Sequence, residues 1–210
     1  MMTPEPVRIH RRSIRWKGYD YAQAGGYFVT ICVQDRACLF GEVVDGAMRA
    51  NAAGLMVAEA WAALAQRFPR VAPDVFVVMP NHLHGVLFLR DGADRGGDGR
   101  DQVRPPVAPS AVGAPLVGAR IPDDRITVGD VVGAFKSLTT LEYGRGVKTL
   151  GWPRFVDALW QRNYHEHVIR DEVSLERIHD YILDNPRRWA FDRENPGGTP
   201  NNDRETPWGY

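Results

Sequence analysis

Apolar and polar positions along this chain switch between two periods, and the switches outline a small α+β fold. Tyr27 to Val33, following Gly25-Gly26, is aromatic and β-branched and reads as a strand. Phe40 to Val44 is a short strand or hairpin arm closed by Asp45-Gly46. From Asn51 to Phe68 the period is helical. Leu55, Ala58, Ala62 and Ala65 share one side, Trp61 lies beside them, and Pro69 is the stop. Asp74–Met79 and His82–Leu89 follow as strands. The link between them, Pro80-Asn81, is so short that they must form an antiparallel hairpin.

Arg90 to Arg125 is rich in Gly, Pro, Asp and Ala, lacks periodicity and reads as a long flexible insertion. Thr127 caps a second helix that carries Val128, Val131, Val132, Phe135 and Leu138 on one side. It runs to about Tyr143, with Gly144-Arg145-Gly146 as its end. Phe155 to Trp160 is expected as the last strand. Ser174 then caps a helix from Leu175 to about Leu183, stopped by Asn185-Pro186. This order predicts a ferredoxin-like (RRM-like) antiparallel sheet with helices packed on one face and a C-terminal helix alongside. Within it, His82–Leu89 is a central strand. The expected organisation is a basic N-terminal extension over 1–25, a folded domain over 26–190 and a loose tail over 191–210.

With 210 residues the chain can bury one full core. A formal net charge of zero excludes a global basic field. Locally the picture differs: Arg8, His10, Arg11, Arg12, Arg15 and Lys17 occur with no acid among them, Trp16 lies within the run, and Tyr19 and Tyr21 follow. Such cations and aromatics suit a phosphate backbone and stacked bases, and they equally suit a solvated basic tail. Cys32 and Cys38 belong to no paired-CxxC pattern and imply no disulfide framework, which fits a reducing, cytoplasmic setting. No run is long and apolar enough to span a bilayer, and the basic N-terminus lacks a signal peptide's apolar stretch.

The candidate chemistry begins at His82-Leu83-His84. Residues two apart on a strand share a face, so the two imidazoles point the same way and form half of a divalent-metal site. Taken alone, the pair also reads as one buried and one exposed structural histidine. On the final helix, Tyr181 and Asn185 lie four apart on one face, the same side as Ile178. A core aromatic and a helix cap are the plain readings of those two residues. Opposite a strand-borne histidine pair, they become a nucleophile and an oxygen-donating ligand. Tyr164-His165-Glu166-His167 is the internal rival, offering a tyrosine, a carboxylate and a second HxH.

Pro80-Asn81-His82-Leu83-His84 resembles the HUH motif (His, hydrophobic, His) of single-tyrosine transposases. Trp160-Gln161-Arg162-Asn163-Tyr164-His165-Glu166-His167-Val168-Ile169-Arg170 is similar to the W-Q-R-x-[FY]-x-[DE]-H-x-I-R block of the REP-associated tyrosine transposases. Asp180-Tyr181-Ile182-Leu183-Asp184-Asn185-Pro186 is similar to that group's D-Y-I-x-x-N-P block. Gly26 to Thr30 and Phe135-Lys136-Ser137 also fit. The resemblance runs from about Arg15 to Pro196, apart from the 90–125 insertion.

The resemblance implies that Tyr181 attacks the scissile phosphate of single-stranded, hairpin-forming DNA. It implies His82 and His84 as metal ligands with Asn185 as the candidate third, holding Mg²⁺ or Mn²⁺. Zn²⁺ would also accept the imidazoles. Arg11, Arg12, Arg15, Lys17, Lys136, Arg162, Arg170 and Arg187 are candidate DNA contacts, and ordinary surface pairing accounts for the same side chains. The oligomeric state is open between monomer and homodimer. Two other readings stand beside this one. The first is a single-strand-binding module of the same fold that does not cleave. The second is a metal-dependent phosphodiesterase acting through activated water.

Overall fold

The tight turn at Pro80-Asn81 sets the sheet. The computed structural model describes residues 20–91 and 126–199. Strands β4 (Val71–Met79) and β5 (His82–Leu89) pair antiparallel from Met79↔His82 outward, as so short a link requires. On its other side β5 pairs with β1 (Gly25–Cys32), which in turn pairs with β6 (His165–Ile169). The order is β4-β5-β1-β6, all antiparallel, as in the expected ferredoxin-like sheet, with the histidine strand in the interior. A separate hairpin, β2 (Gly41–Val44) and β3 (Ala47–Ala50), turns at Asp45-Gly46, where both residues have positive φ (53° and 73°). That backbone suits the Asp-Gly pair.

Two helices cover one face of the sheet. Asn51 caps α1 (Ala52–Ala62) by accepting from the Gly54 amide, and a short α2 (Leu64–Arg67) follows a break at Ala63. The expected single helix is therefore two. Thr127 and Asp130 form a reciprocal capping box at the start of α3 (Val128–Thr149). Trp61, Phe135, Trp160 and Tyr143 join Tyr27, Val29, Ile31, Leu83 and Leu87 from the sheet in the main core. The third long helix, α4 (Glu172–Asp184), lies on the opposite face, where Ile178 and Ile182 pack on Phe28 and Val86.

Three local expectations are corrected. Helix α3 passes straight through Gly144-Arg145-Gly146 and ends near Gly151, which has φ 70°. Gly146 is a packing notch: a Cβ there would come within 2.3 Å of the Trp152 ring. Phe155 to Trp160 is not a strand. Phe155, Leu159 and Trp160 serve the α3 side of the core while Val156 is exposed, Trp160 bridges Val33, and its indole donates to Thr139 Oγ1 at 2.8 Å. The last strand is β6, whose polar alternation hid it. Finally, Asp171 rather than Ser174 caps α4; its carboxylate accepts from the Ser174 amide at 2.7 Å.

Gly85 lies in β5 directly after the histidine pair, facing the main core. A Cβ there would meet the Trp61 ring at 2.5 Å and Phe76 Cβ at 3.2 Å. Gly85→Ala is expected to destabilise the fold by about 1–3 kcal/mol through overpacking. Urea unfolding checks this, with a lower midpoint and an unchanged slope.

Candidate metal and nucleophile site

β5 and β1 build the centre of the site, and register decides what meets there. His84 lies opposite Thr30, and His82 lies opposite Cys32. Directly opposed residues share a face, so both imidazoles look toward α4 while Leu83 and Gly85 face the main core. Both rings are buried, and their Nε2 atoms converge to 3.0 Å. Each ring is braced from behind: His82 Nδ1 meets Asn81 Oδ1 at 2.9 Å, and His84 Nδ1 meets Thr30 Oγ1 at 2.8 Å. Burial lowers the pKa of both histidines below the usual 6.5, and for His84 the neighbouring His82 and His165 lower it further. Both are therefore neutral imidazoles, the form that ligates metal.

Helix α4 brings Tyr181 to this pair. Its ring centroid lies 5.3 Å from that of His84 and 6.0 Å from that of Phe28, edge-on to both. One turn later Asn185 is buried beside His82. Its side chain favours the charged form of His82, yet its Oδ1 has no hydrogen-bond partner. A buried acceptor without a donor is costly unless something electropositive takes it up. The 3-10 turn Pro186–Phe191 then lays Trp189 6.0 Å from the His82 ring and delivers Asp192. Asp192 Oδ2 lies 3.9 Å from His82 Nε2, and ligand atoms of His82, His84 and Asp192 all fall within 4.8 Å of one another.

This donor set fits a divalent cation. Two imidazole nitrogens 3.0 Å apart have the separation of adjacent corners in a shell with bonds of about 2.1 Å. Asp192 adds a carboxylate, and Asn185 Oδ1 is the orphaned oxygen. The sequence reading missed Asp192, having assigned it to a loose tail. Both Asp192 and Glu194 are buried, and Glu194 is pinned by Arg36 at 3.1 Å and through its carbonyl by Asn81 at 2.6 Å. No periodic signal marks such a residue.

The rival tyrosine faces elsewhere. Glu166 is opposite Val29, on the main-core face, and Tyr164 donates to its carboxylate at 2.6 Å while lying 5.5 Å from Lys136 Nζ. His165 and His167 are opposite Thr30 and Phe28, so they share the face of His84 two strands away, across β1. Both have pKa values lowered by burial, helped by Arg193 at His165 and Arg170 at His167.

Of the expected DNA contacts, Arg162, Arg170 and Arg187 are exposed, with Arg187 3.8 Å from Asp184. Lys136 instead donates to the carbonyls of Gln161, Arg162 and Asn163 at 2.9, 3.4 and 3.0 Å, and burial pulls its pKa down to about 8. Gln161 likewise holds Val33 O. Much of the W-Q-R block is thus structural. Arg11, Arg12, Arg15 and Lys17 lie outside the described residues.

An uncharacterised protein of Haemophilus influenzae (strain Rd) is 36% identical over 187 residues, spanning 88% of this chain and 92% of that one. The two proteins belong to one family. No family model matches the chain. Among solved structures, the REP-associated tyrosine transposase bound to a REP hairpin superposes with a TM-score of 0.50 at 18% identity. The match covers 82% of this chain and 72% of that one. The fold is that of the REP-associated tyrosine transposase, in keeping with the resemblance read from the motifs. Among the described residues, no helix is long and apolar enough to cross a membrane.

Two outcomes follow from this geometry. With chelator present, unfolded histidines titrate near 6.5 and the buried pair lower, so the unfolded chain binds more protons below that pH. Stability therefore falls as pH drops below about 6.5, and the fall levels off once the folded-state values are passed. Thermal melts across pH check this, and a His82→Gln/His84→Gln double variant should lose less. Lys136→Met removes the tie on 161–163, and limited trypsin digestion is expected to cut after Arg162 sooner than in the parent.

Proposed function

We propose that the protein is a metal-dependent single-stranded DNA endonuclease and strand transferase of the REP-associated tyrosine transposase type. Tyr181 is its nucleophile, and hairpin-forming DNA is its substrate. The observation that carries this reading is the placement of Tyr181, 5.3 Å ring to ring from a histidine whose Nε2 converges with that of His82. Tyr164 belongs to the other side of the sheet. The fold match to a transposase bound to a REP hairpin and the three sequence blocks support the same substrate class.

In this reading Tyr181 Oη forms a bond to the scissile phosphorus, and the 3′ oxygen leaves and takes up a proton. The product is a 5′-phosphotyrosine with a free 3′-OH, so attack by a 3′-OH reverses the step without an external energy source. A tyrosine hydroxyl with an ordinary pKa of about 10 needs deprotonation and an electrophilic phosphorus. His82, His84 and Asp192 would hold the divalent cation, with Asn185 Oδ1 as a further donor. When bound, that cation supplies Lewis-acid stabilisation of charge on the phosphoryl oxygens. Mn²⁺ and Mg²⁺ suit a mixed nitrogen and oxygen shell, and Zn²⁺ suits the imidazoles. Asn81 and Thr30 orient the two rings. The edge-on contacts of Tyr181 with Phe28 and His84 fix its ring, which limits the entropy lost on attack.

The test is a denaturing gel of the protein with labelled single-stranded hairpin oligonucleotides and Mn²⁺. The wild type is expected to give a denaturant-resistant adduct, and Tyr181→Phe and His82→Ala/His84→Ala to give none. Cleavage that survives Tyr181→Phe would move the chemistry to activated water. An adduct that survives it would move the nucleophile to Tyr164. Hairpin binding with no cleavage in any variant would make the protein a binding module.

A further inference from the structure

Asn81 is buried, and its amide is used up. Its Nδ2 donates to the carbonyls of Arg36, at 3.0 Å, and Glu194, at 2.6 Å. Both amide hydrogens are thereby committed, so the group facing His82 Nδ1 at 2.9 Å is Oδ1, which only accepts. The proton of His82 must then be on Nδ1, and its Nε2 lone pair faces the other ring. His84 is braced differently. Thr30 Oγ1 is a hydroxyl, able to donate to His84 Nδ1 or to accept from it at the same 2.8 Å. With His82 Nε2 unprotonated 3.0 Å away, His84 satisfies both rings by carrying its proton on Nε2 and donating across.

We propose that Asn81 is the positioning residue that locks His82 as the Nδ1–H tautomer, whereas Thr30 is a rotor that lets His84 change tautomer when a cation arrives. The metal half of this inference rests on the function proposed above. One ligand is preset and the other is switched. Cation binding moves the His84 proton from Nε2 to Nδ1, and the Thr30 hydroxyl turns from donor to acceptor. No net proton is released by that exchange. Asn81 also ties the site to distant parts of the chain, since its two carbonyl partners lie at Arg36 and at Glu194, two residues beyond Asp192. The same amide that orients His82 therefore anchors the segment bringing the carboxylate.

The experiment is long-range ¹H–¹⁵N correlation of the imidazoles in ¹⁵N-labelled protein, with His82→Gln and His84→Gln for assignment. It is run with chelator and then with Zn²⁺ as a diamagnetic probe, and zinc affinity is measured by competition. In chelator, His82 is expected to carry its proton on Nδ1 and His84 on Nε2; with Zn²⁺ both carry it on Nδ1. Asn81→Ala is expected to release His82 into a mixture of tautomers and to weaken zinc binding about 10–100-fold. Thr30→Val should leave the metal-free tautomers in place, yet lose affinity by a similar factor, and Thr30→Ser should restore it. A His82 proton on Nε2 in the metal-free wild type would overturn the inference. Unchanged tautomer and affinity in Asn81→Ala would do the same. If Asn81→Ala does not fold, the wild-type tautomers and the Thr30 pair decide alone. A wild type that binds no zinc overturns the switching of His84, while the metal-free spectrum still judges the locking of His82.

Discussion

Two imidazoles buried side by side in the middle of a sheet must have every ring nitrogen partnered, and much of the surrounding structure answers that demand. Left without partners, such groups would cost several kcal/mol. Asn81 and Thr30 satisfy the outer nitrogens, and the inner nitrogens satisfy each other. Meeting the demand at Asn81 recruits the backbone at Arg36 and Glu194, so one amide joins the turn after β1, the β4–β5 turn and the segment after α4. The turn is held further by Val33, whose amide donates to Asn81 O, and by Phe40, whose amide donates to Pro80 O.

The sheet separates two jobs by face. Trp61, Phe135, Trp160 and Tyr143 fill the side covered by α1 and α3, a large apolar core that supplies stability and admits a buried polar group such as Thr139 only where it is hydrogen-bonded. The smaller cluster of Phe28, Val86, Ile178 and Ile182 seats α4 on the other side, where a hydrogen bond at 2.8 Å between His179 Nε2 and Asp74 Oδ2 also holds the helix to β4. Because that second cluster is small, α4 can approach a polar centre while its buried stripe keeps it in place. Tyr181 stands at the margin of this stripe, between apolar packing and the histidines.

What could be read from the chain divides along physical lines. His82 with His84, and Tyr181 with Asn185, were legible because strand and helix periods fix which neighbours share a face. The β-α-β-β-α-β order was legible even though one strand was placed wrongly. Phe155 to Trp160 has the strand-like composition, yet Phe155, Leu159 and Trp160 are consumed by the core beneath α3. His165–Ile169, half polar and at the sheet edge, has the pairing. Asp192 had no local signature, because its approach to His82 depends on a turn after α4 and on anchors distant in sequence. Lys136 looked like a surface cation, and only the fold reveals the three carbonyls it meets.

The hairpin β4–β5 pairs without offset next to its turn, from Met79↔His82 through Val77↔His84. On the far side the same two histidines are fixed against Cys32 and Thr30. Side-chain direction in a strand reverses with each residue. A one-residue slip of β5 would therefore invert the strand: Leu83 would be thrust among the polar groups under α4, and both imidazoles into the hydrocarbon beneath α1. Pairing on both sides of β5 opposes such a slip, since each histidine is held against β1 and β4 at once. A slipped register would exchange the contents of the two faces at a stroke, so the hairpin admits a single folded outcome: metal-ligand candidates under one helix and hydrocarbon under the others.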